Sequence, residues 1–222
     1  MSQNGGYAFV NGALFDLASQ LKMSLVHRHY QPTYQALYSS AFSEGNKTFN
    51  ESGIYMGFEF YPIKNWKIDA YIDSWKHPWL RYGAYAPSSG IEYLTQINYY
   101  PTRKFDMYFR YKNEIKGRNN PNLETGTISL TDIKIARYRY NINYSPTKNL
   151  SLKNRFEISE YSIEEKTEFG YMIYQDIQYS FVKIPLSMTL RLAIYDTESW
   201  DTRIYAYEPD ILYAFSIPAY YS

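Results

Sequence analysis

The feature that most limits how this chain can fold is a two-residue alternation that recurs along its length. In Ile54-Tyr55-Met56-Gly57-Phe58-Glu59-Phe60-Tyr61 the even positions are apolar, while the odd ones carry Tyr, Gly, Glu and Tyr. Ile68, Ala70 and Ile72 oppose Asp69 and Asp73, and Phe105, Met107, Phe109 and Tyr111 oppose Asp106, Arg110 and Lys112. Ala136, Tyr138, Tyr140, Ile142 and Tyr144 oppose Arg137, Arg139, Asn141 and Asn143. Leu150, Leu152, Phe156 and Ile158 oppose Ser151, Lys153, Arg155, Glu157 and Ser159, and Leu186 through Ile194 alternate in the same way around Arg191. Successive side chains of a strand point to opposite faces, so each stretch predicts a strand with one apolar and one polar face. Weaker alternation near residues 7–18, 21–30, 91–100, 169–180 and 203–216 brings the expectation to about eleven strands. Most have room for the roughly 9–11 residues that cross a bilayer at a tilt. Helix-start and helix-stop signals are essentially missing.

Composition agrees with a sheet that has a wet and a greasy side. Aromatics make up 19% of the chain, with 27 Tyr, and these amphipathic rings suit strands and water–apolar boundaries. Mean hydropathy is −0.50 because the two halves of each strand cancel. A net charge of +1 removes the global electrostatic case for a nucleic-acid binder. The absence of Cys excludes disulfide frameworks, thiolate metal sites and cysteine nucleophiles. No window approaches the roughly 18 consecutive apolar residues of a membrane helix. The first residues, Met1-Ser2-Gln3-Asn4-Gly5-Gly6, have no basic or apolar leader region, so the chain is expected to be cytoplasmic or a piece of a longer one.

The connections add orientation. Tight turns are predicted at Pro62 to Trp66, Pro101 to Lys104, Ser145 to Asn149 and Val182 to Pro185. They alternate with longer links at 31–53, 76–90, 113–132, 162–167 and 196–202, which is the rhythm of a transmembrane meander. Pro32, Pro62, Pro78, Pro87, Pro101, Pro121, Pro146 and Pro185 are all assigned to turns or loops, as an unbroken ladder requires. Tyr30, Tyr61, Trp66, Trp75, Tyr99, Tyr100, Tyr144, Tyr161, Tyr179 and Tyr195 sit near strand ends, where interfacial girdles belong. Alternation does not reveal which face meets water. Strand length, loop rhythm and aromatic placement favour the membrane order, apolar side out and charge in the lumen, over a soluble sandwich, lectin-like fold or solenoid.

The expected fold is therefore an all-β, antiparallel up-and-down transmembrane β-barrel, read as one outer-membrane segment over residues 1–222. An odd strand count does not close such a barrel, and Ile217 to Ser222 reads as the start of a loop. The expectation is an open segment lacking closing strands.

Several stretches resemble the barrel region of a Bacteroidota outer-membrane family whose members join an N-terminal helix-hairpin-helix part to a large barrel. They are His27-Arg28-His29-Tyr30-Gln31-Pro32-Thr33-Tyr34-Gln35-Ala36-Leu37-Tyr38 with Ala41 to Glu44, His77-Pro78-Trp79-Leu80-Arg81-Tyr82 with Ala86 to Gly90, and Leu152-Lys153-Asn154-Arg155. Tyr174-Gln175-Asp176, Arg203-Ile204-Tyr205-Ala206-Tyr207-Glu208 and Leu212 to Pro218 complete the set. The resemblance implies a barrel without the part that suggests DNA handling, further strands after Ser222, and no defined activity.

The nearest thing to a functional site is the charge on the polar faces. Arg110, Lys112, Arg137, Arg139, Lys153, Arg155 and Arg191 form a basic stripe, opposed by Glu59, Asp69, Asp73, Glu92, Glu157 and Asp176. One reading is cross-strand pairing that fills a polar interior. The other is a field that selects anionic solutes. His27 and His29 share a face but have Arg28 between them and no third ligand, so no metal site is assigned. With three His and no Ser/His pair singled out, no catalytic residue and no cofactor are assigned. Glu164-Glu165-Lys166 reads as a solvated loop. The segment Trp75 to Tyr85 reads as an interfacial anchor, or as a loop entering the lumen or meeting a ligand outside. The predicted function is a non-enzymatic scaffold or conduit in the bacterial outer membrane. Lipid is the first partner, an anionic solute or DNA is a further candidate, and protein partners are unassigned. The alternative is a soluble or surface all-β module presenting Tyr-rich strands to carbohydrate or protein.

Overall fold

The computed structural model describes all residues except 1, 3, 4, 37–40, 46, 121–128 and 209–216. Ten strands form one antiparallel sheet in strict chain order. They are β1 (Ala8–Ala18), β2 (Leu21–Tyr30), β3 (Glu51–Phe60), β4 (Trp66–His77), β5 (Ser88–Thr102), β6 (Phe105–Asn119), β7 (Leu130–Tyr144), β8 (Leu150–Ile163), β9 (Lys166–Ser180) and β10 (Ser187–Thr197). A 3₁₀ turn at Trp200–Thr202 follows, then two short strands, β11 (Ile204–Tyr205) and β12 (Ala219–Tyr220), which pair with each other in a separate sheet. In the ten-stranded order β1 and β10 each pair on one side.

The observed strands explain most of the alternation and extend it. The expected link 162–167 is a two-residue turn, because β8 and β9 pair out to Ile163 and Lys166. Glu164 takes the left-handed conformation there, at φ 53°, as a two-residue hairpin turn demands. The links expected at 31–53, 76–90 and 113–132 shorten because β3, β4, β5, β6 and β7 run further than their periodicity suggests. Pro101 lies in the last residues of β5 and not in a turn; Pro121 is outside the described residues. Of the expected stretch 203–216, only Ile204–Tyr205 is strand among the described residues, and 209–216 lie outside them. Ala219–Tyr220, expected as loop, is the partner strand.

The chain divides into two compact units. The first holds Met1–Tyr61, Asp69–Thr95 and Asn113–Lys134; the second holds Pro62–Ile68, Gln96–Lys112 and Ile135–Ser222.

Candidate functional site

The sign that alternation leaves open is set by burial. In the second unit, Phe169, Tyr171, Ile173, Ile177 and Tyr179 of β9 are exposed, while Met172, Tyr174 and Asp176 between them are buried. Ile173 is 48% exposed beside Tyr174 at 2%. On β10 Met188, Leu190, Leu192 and Ile194 are open. On β8 Arg155, Glu157 and Ser159 are buried and Phe156 is exposed. The first unit repeats the order, with Ile54 and Phe60 of β3 exposed and Glu51 buried. Charge inside and aliphatic surface outside invert the arrangement of a water-soluble sheet and match a strand between lipid and a polar interior.

The polar face of the first unit is organised around Arg28, which is fully buried. Its Nε donates to Glu51 at 2.5 Å, and Nη1 and Nη2 donate to the two oxygens of Asp73 at 2.7 and 3.2 Å. The planar guanidinium fork suits two carboxylates at once. This cluster anchors the connection between β2 and β3. Glu51 accepts from the backbone N–H groups of Glu44 and Gly45, the Phe42 ring lies 5.0 Å from the Arg28 guanidinium, and the Tyr30 hydroxyl donates to the Phe42 carbonyl at 2.6 Å. Asn50 bridges to the next connection through Trp79 and Leu80, and its carbonyl lies 2.8 Å from His77 Nδ1. The carboxyl of Glu44 reaches Lys116 of β6 at 3.4 Å, and Lys116 also pairs with Glu114. Among the described residues, carboxylate oxygens of Glu44, Glu92 and Glu114 lie within 4.8 Å of one another, close enough to share a cation. Lys116 already places a positive charge against two of them. Burial raises the Glu44 pKa to about 7, with Glu114 adding to the rise and Lys116 opposing it.

In the second unit the segment after β10 folds back over the polar face. Ile204 and Ala206 pack on Met172 and Tyr174, with Ala193 and Tyr220 at the margin. Arg155 and Arg191 donate to the backbone carbonyls of Tyr205 and Tyr207, at 3.0 and 2.7 Å. Ser222 is tied to Thr197 through both backbone and side chain. Close approach requires Gly170, where a Cβ would stand 2.6 Å from the Thr202 carbonyl oxygen.

The predicted charges divide between the units. Arg139 and Arg155 both bind Glu157, and Arg191 forms a bidentate pair with Asp176 at 2.6 and 2.7 Å while covering the Tyr174 ring at 4.1 Å. Arg110 donates to Gln96 at 2.6 Å, and Lys112 is on the same face of β6. Lys153 sits 5.9 Å from the Tyr174 ring centre; neither it nor Arg137 has a carboxylate within salt-bridge distance among the described residues. In the first unit Asp73 joins Arg28, Glu92 accepts from Tyr71, and Glu59 accepts from Tyr61 at 3.0 Å. Asp69 lies beside Tyr71 in an open groove. Periodicity did not single out Arg28, Glu51, Glu44, Glu114 or Lys116. His27 and His29 are on the opposite face from Arg28, tilted or stacked against Phe9 and Tyr7.

Three expected girdle residues need correcting. Tyr30, Trp75 and Tyr161 are buried, whereas Tyr61, Tyr100, Tyr144, Tyr179 and Tyr195 are exposed. Tyr30 shares its face with Arg28, Trp75 with Asp73, and Tyr161 with Glu157, so all three point to the polar side. Trp75 is thus no interfacial anchor; its ring leaves no room for a Cβ at Gly90.

Sheet order and inside-out burial define the class of up-and-down transmembrane β-barrels. Among solved structures the chain is similar to the outer membrane channel DcaP of Acinetobacter baumannii, with TM-score 0.57 and 12% identity, over 85% of this chain and 56% of that one. It therefore spans little more than half the length of that channel. A match to the NanC porin has TM-score 0.35 and 10% identity over 87% and 93% of the two chains, too low a score to bear on the argument. At these identities the likeness is one of fold. No family model matches the chain, and neither does any curated protein.

Proposed function

We propose that the protein is a non-enzymatic outer-membrane β-barrel conduit or scaffold with a charged, partly covered lumen. The carrying observation is the inverted burial: Leu190 and Leu192 are each 68% exposed, whereas Arg28, Glu51 and Glu157 are at or below 2%. A soluble binding module has no use for that order, since a long aliphatic face in water favours aggregation. Within the basic stripe, Lys153 and Arg137 have no carboxylate at salt-bridge distance among the described residues, so an anionic solute meets positive charge there. Membership of the helix-hairpin-helix family, and DNA as an anionic cargo, belong to this proposal through the resemblance of the quoted stretches.

Refolding the chain into planar bilayers tests it. Detergent-dependent extraction, heat-modifiable gel migration and ion conductance are expected, with the reversal potential moving toward cation preference in Lys153→Glu. Solubility without detergent combined with no bilayer insertion overturns the membrane reading. Insertion without conductance leaves the scaffold and removes the conduit. Conductance unaffected by added single-stranded DNA removes the DNA cargo.

A further inference from the structure

The polar wall beneath β11 and β12 in the second unit holds more positive charge than its carboxylates neutralise. Lys153, Asp176 and Arg191 stand in one register row across β8, β9 and β10, and Arg155, Tyr174 and Ala193 in the next. Asp176 gives both oxygens to Arg191, and Glu157 is shared by Arg139 and Arg155. Lys153 is left with no carboxylate at salt-bridge distance among the described residues. Three of these cations gather on one ring: the Lys153 ammonium and the Arg155 guanidinium each lie 5.9 Å from the Tyr174 ring centre, and the Arg191 guanidinium 4.1 Å. Both arginines also donate to neutral atoms. Arg155 Nη2 reaches the Tyr205 carbonyl at 3.0 Å, and Arg191 Nη1 the Tyr207 carbonyl at 2.7 Å. Those carbonyls belong to the segment whose Ile204 and Ala206, each 1% exposed, cap Met172 and Tyr174. Glu208 of the same segment is engaged by the Tyr220 hydroxyl.

We propose that this wall binds a phosphate-bearing solute and that the β11–β12 segment is the cover such a solute displaces. A carbonyl is a weaker acceptor for a guanidinium than an oxyanion, whose charge-assisted bonds are about twice as strong. The Tyr205 and Tyr207 carbonyls therefore hold Arg155 and Arg191 in place without neutralising them. A phosphate monoester brings close to two negative charges and three acceptor oxygens. That answers the excess of Arg139, Lys153, Arg155 and Arg191 over Glu157 and Asp176, whereas a lone carboxylate leaves part of it. Lys153 is the first contact, and Arg191 follows as the Tyr207 carbonyl departs. Glu208 leaves with the cover, which strengthens the positive field of the wall. Ile204 and Ala206 oppose the exchange, since lifting them exposes apolar surface, so the cover stays closed until the anion arrives. The site rests on the conduit reading for the route by which a solute reaches it, and not for the binding itself.

Calorimetric titration of the full chain in detergent micelles with inorganic phosphate, at about pH 8 and at an ionic strength held constant with chloride, tests the site. Tryptic cleavage after Arg203 tests the cover. Phosphate is expected to bind and to speed cleavage about fivefold over chloride, the difference between a neutral and a charge-assisted hydrogen bond. Lys153→Gln is expected to weaken phosphate about fivefold. Cover and anion exclude each other, so Gly170→Ala, which crowds the Thr202 carbonyl, is expected to tighten phosphate binding as it speeds cleavage, by the reciprocity of linked equilibria. The proposal is overturned by an absence of phosphate binding, by binding that leaves cleavage at its chloride rate, or by an unchanged affinity in Lys153→Gln. A Gly170→Ala variant that is cleaved faster but binds phosphate no more tightly overturns it as well, and acetate binding as tightly as phosphate overturns the ligand class. Conductance is read separately in planar bilayers. A chain that binds phosphate beneath a displaceable cover but does not conduct loses the conduit and keeps the site; one that conducts with phosphate-independent cleavage does the reverse.

Discussion

Glu44 offers the sharpest test of whether the connection between β2 and β3 is held on the polar face as the structure shows. Its backbone N–H donates to both oxygens of Glu51, and its side chain enters a nest of like charge formed by Glu92 of β5 and Glu114 of β6, relieved by Lys116. Arg28 and Asp73 complete the charged surroundings through Glu51. Burial and Glu114 raise the Glu44 pKa from 4.5 to about 7, whereas in a lifted connection the carboxyl returns to its ordinary value. The docked form therefore binds the proton more tightly. Docking is strongest below pH 4.5, weakens as pH rises to about 7, and is constant above that. At about 1.4 kcal/mol per pH unit the interval gives an upper bound of about 3 kcal/mol. The carboxyl is partly open to water and lies beside Lys116, and screening reduces this to about 1–2 kcal/mol. Hydrogen exchange at the Glu44 and Gly45 amides, corrected for intrinsic rates, reads this out. Protection is expected to fall about five- to thirtyfold between about pH 5 and pH 8. Glu44→Gln is expected to flatten the profile at the protected, low-pH level. A pH-independent wild type, or a Glu44→Gln variant that keeps the full dependence, refutes the reasoning.

Three further changes probe other parts of the argument. Arg28→Met leaves Glu51 and Asp73 facing each other without a cation and is expected to cost about 3–5 kcal/mol, read as a lower urea midpoint or a lower temperature for loss of the compact gel band. An unchanged midpoint removes the anchoring role. Gly170→Val drives a side chain into the Thr202 carbonyl and the Thr197 methyl, at 2.6 and 2.9 Å from the Cβ. Protease cleavage between Trp200 and Tyr207 is the expected result, and continued resistance shows that the segment does not pack there. Leu190→Arg places charge on the exposed face of β10 and is expected to destabilise the protein in lipid vesicles by about 2–4 kcal/mol if that face meets the bilayer centre, against a few tenths if it meets water.

The strands were legible because a period of two is local, and β3, β7 and β8 show it in consecutive residues. Arg28 was harder to see. On β2, Lys22, Ser24, Val26, Arg28 and Tyr30 form one face and Leu21, Met23, Leu25, His27 and His29 the other, so Val26 and the two His blur the contrast. The His rings belong to the exposed side, where Phe9 and Tyr7 cover them. Parity with Lys22 and Ser24 was the signal that would have placed Arg28 inward. No local signal exists for Glu44, whose ion-pair partner Lys116 is 72 positions along the chain. Connections of irregular backbone carry no periodicity that points to a distant strand.

The stretch from Arg203 to Glu208 teaches a different lesson. It alternates as well as several sheet strands do, yet its apolar members Ile204 and Ala206 face Met172 and Tyr174 from above the sheet. Period two reports an extended segment between two environments, and not membership of a particular sheet. The same restriction applies to the aromatics. Position near a strand end is shared by Tyr30, Trp75 and Tyr161 with Tyr144 and Tyr179, but the first three are buried and the last two exposed. What separates them is whether the ring falls on the charged or the aliphatic parity of its own strand. A strand-end Tyr or Trp therefore counts as an interfacial anchor only when its neighbours two residues away are on the apolar face. Where those neighbours are charged, as Arg28 is for Tyr30 and Asp73 for Trp75, the ring instead packs inside and holds a connection over the polar wall.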